Sequence, residues 1–151
     1  MTVTEKLAAL RQNMKARGLE GCIVVTDDFH GSEYVGAHFK AREFLSGFTG
    51  SAGTLAVLRE GAYLWTDGRY FLTLSQFLAE QLPESGALGF DGRTVSTRLH
   101  RTLEKALADK HIRLDGGFDP AAGVWTDRPD LSTAPVWAFD SGVTRREKLT
   151  A

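Results

Sequence analysis

Short β-branched apolar runs alternate in this chain with segments whose apolar residues recur at helical spacing, and that alternation leaves few folds open. Cys22-Ile23-Val24-Val25 is too short for a helix and is followed by polar Thr26-Asp27-Asp28, which predicts a buried strand at 22–25. Strands are expected at 54–58 and 63–66, joined by a hairpin turn at Glu60-Gly61. Shorter apolar runs predict strands at 87–90, 112–114 and 136–139. Thr2 and Glu5 have the spacing of a capping box, Leu7, Leu10 and Met14 share one face, and Gly18 can take a left-handed stop. The first helix should therefore span 3–17. Asp67 is a good N-cap for a helix over 70–82 carrying Tyr70, Phe71, Leu74, Phe77 and Leu78, stopped near Pro83. Ser96 caps a third helix, over 97–109, bearing Leu99, Leu103, Ala106 and Leu107. Residues 29–43 show no clear period. Strands alternating with helices imply a layered α/β domain, and the hairpin makes its sheet mixed.

The 151 residues suit one domain. A net charge of −1 with dispersed basic residues provides no field for nucleic acid or an anionic membrane. No apolar run approaches the ~20 residues of a membrane span. The first ten residues include Glu5 and lack the apolar core of a secretion signal. Cys22 is the only cysteine, so no internal disulfide can form, and a cytoplasmic location is expected. After Asp140 the chain turns polar and charged, as a linker would.

Several strings invite chemistry. Gly47, Gly50 and Gly53 recur among small polar residues, either as a tight turn into the hairpin or as a loop whose amides hold a peptide or anion. In Thr66-Asp67-Gly68-Arg69-Tyr70 a strand ends, a carboxylate caps, and a guanidinium emerges in a first helical turn. A cation there gains nothing from the helix dipole. Arg69 thus either meets an external carboxylate or carbonyl, or pairs with Asp67 or a neighbouring acid. Arg42 poses the same choice between a surface ion pair and a ligand group. Trp125-Thr126-Asp127-Arg128-Pro129 should pack its indole on the core and turn at the proline. His30, His38, His100 and His111 have no metal-ligand spacing. Asp27, Asp28 and Asp67 are the one carboxylate group able to take Mg²⁺, although adjacent Asp residues commonly serve turns. Cys22 is expected to be a small core residue rather than a nucleophile.

The string Ser46-Gly47-Phe48-Thr49-Gly50-Ser51-Ala52-Gly53, with Trp65-Thr66-Asp67-Gly68-Arg69-Tyr70-Phe71 and Val124-Trp125-Thr126-Asp127-Arg128-Pro129, resembles the N-terminal domain of Xaa-Pro aminopeptidases of the creatinase/prolidase group. The resemblance implies a non-catalytic α/β domain of the kind often called ribonuclease H-like, here over 1–140, with 141–151 leading toward a further domain. It places catalysis in a C-terminal domain outside these residues, where two divalent metals, usually manganese, lie in a pita-bread fold. The substrate it implies is a peptide with proline in second position. The domain helps shape the entrance and the subunit contact of a homodimer. On this resemblance Arg69 contacts the bound peptide, Arg42 is a candidate substrate contact, and no residue of the chain is catalytic or a metal ligand. The chain departs from the family between Tyr70 and Phe90, where relatives carry an additional stretch with a tryptophan-bearing strand. Two other readings remain at this point: a ribonuclease H-like metal-dependent nuclease using Asp27, Asp28 and Asp67, and a stand-alone peptide-binding module.

Overall fold

A computed structural model describes residues 1–66, 71–137, 142 and 148–149. The elements run α1 (Val3–Ala16), β1 (Gly21–Val25), α2 (Ala41–Ser46), β2 (Thr54–Leu58), β3 (Ala62–Trp65), α3 (Phe71–Gln81), β4 (Ala87–Gly89), α4 (Thr97–Leu107) and β5 (Arg113–Asp115). Single 3₁₀ turns lie at Ala37–Phe39 and Ala108–Lys110.

The sheet is mixed, in the order β3-β2-β1-β4-β5. β1 pairs antiparallel with β2 and parallel with β4, β2 pairs antiparallel with β3, and β4 pairs parallel with β5. Side chains alternate across each strand, so one register feeds two cores. Cys22, Val24, Leu55 and Val57 face a cluster with Leu10 and Met14 of α1, Leu45 of α2, and Phe118, Ala121 and Val124. Ile23, Ala56, Leu58 and Leu88 face the other cluster, formed with Leu74, Leu78 and Leu82 and with Leu99, Leu103 and Leu107 of α4. The sheet is thus the middle of three layers.

The ends of α1 follow the sequence. The Thr2 hydroxyl accepts from the Glu5 amide, the Glu5 carboxylate accepts from the Thr2 amide, and Gly18 takes φ +68° beyond the last turn. Ser96 caps α4 by accepting from the Leu99 amide. The proposed N-cap Asp67 lies outside the described residues. The strand expected at 136–139 does not form where it can be seen. Val136 and Trp137 lie outside any strand and are exposed, and the remaining two residues lie outside the described set. β-Branched and aromatic character favours a strand only where a neighbour can pair with it.

Candidate functional site at one edge of the sheet

The register brings several chain passages to one sheet edge. β1 ends there at Val25, opposite Thr54 at the start of β2, and Thr54 in turn opposes Trp65 at the end of β3. β4, parallel to β1, ends at the same edge. Ligand contacts of open α/β sheets concentrate outside the carboxyl ends of parallel strands.

Arg42 organises this edge. It sits in the short helix α2, is only 2% exposed, and its charge is turned inward. Its Nε donates to Thr26 Oγ1 at 2.8 Å, Nη1 donates to the Phe48 carbonyl, and Nη2 donates to the Gly50 carbonyl. The Thr26 hydroxyl passes the link on by donating to the Gly53 carbonyl at 3.1 Å, which also accepts from the Thr26 amide. The guanidinium also lies 5.1 Å from the centroid of the Phe48 ring. Burial pulls its pKa below the ordinary arginine value. The surface ion pair allowed for by the sequence is therefore not what forms. A buried guanidinium instead ties the end of β1 to the glycine-rich loop.

Two of the loop glycines have a geometric reason. Gly47 ends α2 at φ +71°, with its amide donating to the Glu43 carbonyl at 2.8 Å. At Gly53 a Cβ would stand 2.9 Å from the backbone oxygen of Trp65, so only glycine lets β2 and β3 approach there. Ser46 completes the turn: its hydroxyl donates to the Arg42 carbonyl and accepts from the Phe48 amide.

Beside the loop lies a cleft of about 170 Å³ whose walls include Glu33, Tyr34, Lys40, Thr49 and Ser51. Hydroxyls and charges of both signs suit it to polar, uncharged groups such as peptide backbone better than to a strongly charged ligand. Tyr34 is 84% exposed at its mouth.

Arg69, the main site residue read from the sequence, lies outside the described residues, as do Asp67 and Tyr70. The fold does deliver the chain to this edge at Trp65, a few residues earlier. Asp27 and Asp28 are occupied in a turn. The Asp27 carboxylate accepts from the Asp28 amide, and the Asp28 carboxylate accepts from the amides of His30 and Ser32. Those amide bonds hold Asp28 below the ordinary carboxylate pKa. Among the described residues no group of three or more His, Cys, Asp or Glu side chains could hold a metal ion. Cys22 is fully buried, and burial pushes its thiol up to about 12, so it is not a nucleophile.

One feature of this edge had no signal in the sequence. Arg93 pairs with Asp91 and Asp119, and Arg128 pairs with Asp119 at 2.6 Å while donating from Nε to the His38 carbonyl. The network pins the 119–129 segment across the ends of β1 and β4. Trp125 packs on the core as expected. It stacks on Phe44 with ring centroids 4.5 Å apart and planes 4° apart, and Lys6 Nζ lies 3.9 Å from the Phe44 centroid on top. The turn falls at Thr126-Asp127, just before Pro129.

The fold is that of a creatinase/prolidase N-terminal domain. The model of that family, described as Creatinase/Prolidase N-terminal domain, matches residues 6–76, and the chain belongs to this family. Aminopeptidase P1 of Arabidopsis thaliana is 35% identical over 156 residues, covering 89% of this chain and 24% of that protein. Xaa-Pro aminopeptidase 2 of Rattus norvegicus is 32% identical over 177 residues, covering 100% of this chain and 26% of that protein. That alignment is longer than the 151-residue chain, so the rat protein carries extra residues within the matched span. Among solved structures, the X-prolyl aminopeptidase of Caenorhabditis elegans, a cytosolic enzyme with a di-nuclear active site, superposes with a TM-score of 0.74 at 26% identity, over 87% of this chain and 27% of that one. The N-terminal domain of the cytoplasmic peptidase PepQ of Mycobacterium tuberculosis H37Rv gives 0.51 at 26% identity, over 73% of this chain and 90% of that one. The chain spans about a quarter of the length of the aminopeptidases it matches.

Proposed function

We propose that this chain forms the non-catalytic N-terminal domain of an Xaa-Pro aminopeptidase, with residues 1–140 as the domain and 141–151 leading toward the catalytic part. The observation that carries the reading is the match of the whole chain to a quarter of an Xaa-Pro aminopeptidase. The described residues do not fit a di-nuclear metal centre, so no step is assigned to metal in this domain. Two divalent ions, manganese by the family resemblance, would be held elsewhere in the longer polypeptide. This domain's part is to shape the entrance for a peptide with proline in second position, and to contribute to the subunit contact of a homodimer. Arg69 would donate to a carbonyl or carboxylate of that peptide. Arg42 serves the same edge indirectly, by holding the glycine-rich loop in shape. Similarity to a cytosolic enzyme and a single buried thiol support a cytoplasmic location.

The test is hydrolysis of Arg-Pro-Pro with Mn²⁺, by the 151-residue chain and by a polypeptide extended to the length of its relatives. Only the longer one should turn over. Arg69→Ala in it should lower kcat/KM by roughly 10- to 150-fold, the loss of one charge-assisted hydrogen bond. Turnover by the 151-residue chain that depends on Asp67 would overturn the reading.

A further inference from the structure

The polar cleft beside the glycine-rich loop continues into another. Lys40, Glu43 and Thr49 line it and also line a second, more open cleft of about 350 Å³. The second cleft differs in chemistry. Ala37 and Pro129 are exposed in its walls and Phe44 and Trp125 are half-buried there, so its apolar surface is accessible to a ligand. These walls come from separate passages of the chain and are tied together. His38 Nδ1 donates to the Pro129 carbonyl at 2.7 Å, and Arg128 Nε donates to the His38 carbonyl at 2.8 Å, which fixes the turn bearing Ala37 relative to Pro129. The cleft is therefore preformed. The faces of its two rings are already in use. Phe44 and Trp125 stack on each other, Lys6 Nζ lies over the Phe44 ring, and the Arg128 guanidinium lies 5.9 Å from the Trp125 centroid. What the rings can offer a ligand is their edges. Ring edges are electropositive and favour the face of another aromatic ring. At the boundary of the two clefts Lys40 and Glu43 stand 3.7 Å apart, both open to water. There a donor and an acceptor can meet the carbonyl and amide of a peptide bond.

We infer that the two clefts form one groove for an extended peptide, and that its apolar end is a subsite for an aromatic side chain downstream of the proline. The inference rests on the peptidase reading, which puts the cleaved bond, and with it the first two residues of the peptide, in a catalytic part outside this domain. The stretch that reaches the domain is then the one after the proline. Its backbone would lie among the hydroxyls and paired charges of the polar cleft. An aromatic ring would sit against the edges of Phe44 and Trp125. One edge-to-face contact is modest, worth about threefold to tenfold in affinity. The subsite thus selects among peptides rather than holding them by itself.

The probes are Ala-Pro-Ala-Ala-Ala-Ala amide and its four variants with one Phe at position 3, 4, 5 or 6. One variant should bind the 151-residue chain about threefold to tenfold more tightly than the all-Ala peptide, and should shift the amides of Ala37, Phe44, Gly47 and Trp125 in an NMR titration. In a polypeptide extended to the length of its relatives, the same variant should show that gain in kcat/KM. Trp125→Leu should remove most of the gain, as should Ala37→Arg, which puts a long charged side chain into the groove. Should Trp125→Leu fail to fold, Ala37→Arg still decides, because Ala37 is exposed in a single 3₁₀ turn. Cyclohexylalanine in place of the Phe should lose the gain, and its matching Phe would overturn the aromatic preference. Phe variants no better than the all-Ala peptide, or a gain untouched by Ala37→Arg, would overturn the inference. If the extended polypeptide cleaves Arg-Pro-Pro but treats the hexapeptides alike, the inference fails and the peptidase reading stands. If the chain binds the Phe peptide at these residues while the extended polypeptide cleaves nothing, the peptidase reading fails and the groove stands.

Discussion

At the scale of single residues, Arg42 shows how far a side chain's role can lie from its ordinary one. The sequence left a choice between a surface ion pair and a ligand group. The fold instead buries the guanidinium and points its donors at Thr26 and at the Phe48 and Gly50 carbonyls, linking one strand end to two places in the loop. Nothing in the residue order announces this, because the acceptors are mainly backbone carbonyls, which every residue has. Arg42→Ala would leave those acceptors without donors in a half-buried place, so a loss of about 2–4 kcal/mol is expected in urea unfolding. Arg42→Lys should recover only part, since one ammonium cannot span the same fork. A loss under about 0.5 kcal/mol, within the range of ordinary surface substitutions, would show that the loop holds itself. Gly53→Ala tests the neighbouring constraint. The added Cβ would meet the Trp65 carbonyl at 2.9 Å, and the hairpin must shift, at an expected cost of about 1–3 kcal/mol.

At the scale of elements, what was legible in the sequence had its cause in nearby residues. α1 could be read because its cap and its glycine stop directly flank the run that carries its apolar face. The hairpin of β2 and β3 could be read because two apolar runs flank one turn. α2 could not, because its six residues are too few to show a period and it stands on contacts made elsewhere in the fold, with α1, β1, β2 and Trp125 among them. The candidate site was legible at its backbone, in the glycine string. The convergence of Arg93 and Arg128 on Asp119 was not, since the two arginines come from separate passages of the chain that meet only once the sheet exists. The tie between α1 and β5 is of this second kind. Arg17 donates from Nε and Nη2 to Asp115, and those bonds, against a smaller contrary effect of burial, hold Asp115 down to about 2. A carboxylate with a depressed folded pKa contributes stability that is fully present above its unfolded pKa and is lost as pH falls through the folded value. Unfolding followed from pH 5 downward should therefore show stability lost between about pH 4 and about pH 2, starting near the ordinary aspartate value of 3.8. Asp115→Asn should flatten that part of the profile. An unchanged profile would mean that Asp115 is no better held in the native state than in the unfolded chain.

At the scale of the whole molecule, the sheet separates two cores, one on each face. The glycine-rich loop, the polar cleft and the arginine–aspartate network gather at the edge where β1 and β4 end. In the sheet β1 is the central strand, and Cys22 is paired with Val57 on one side and Gly89 on the other. Its side chain is 0% exposed and faces the cluster that α1, α2 and the 118–124 segment close over. Neither fraying of a terminus nor opening of a single loop uncovers it, because strands flank it in the sheet and a helical layer covers its face. Its thiol is also held up to about 12 by burial, so the native protein offers almost no thiolate at pH 8, whereas the unfolded chain offers an appreciable fraction. Labelling of Cys22 by a disulfide reagent at that pH should therefore follow global unfolding. The logarithm of the rate should rise with urea at the slope of the equilibrium transition, as expected for a site exposed only when the core opens. Leu103→Ala, which removes a fully buried side chain from the opposite layer, should accelerate labelling in proportion to its expected loss of about 2–5 kcal/mol. That proportionality is the sensitive part of the test, because α4 touches Cys22 only through the intervening sheet. If labelling proved fast in water, with little dependence on urea and none on Leu103→Ala, the two layers would open independently and the cooperative unit would be smaller than the domain.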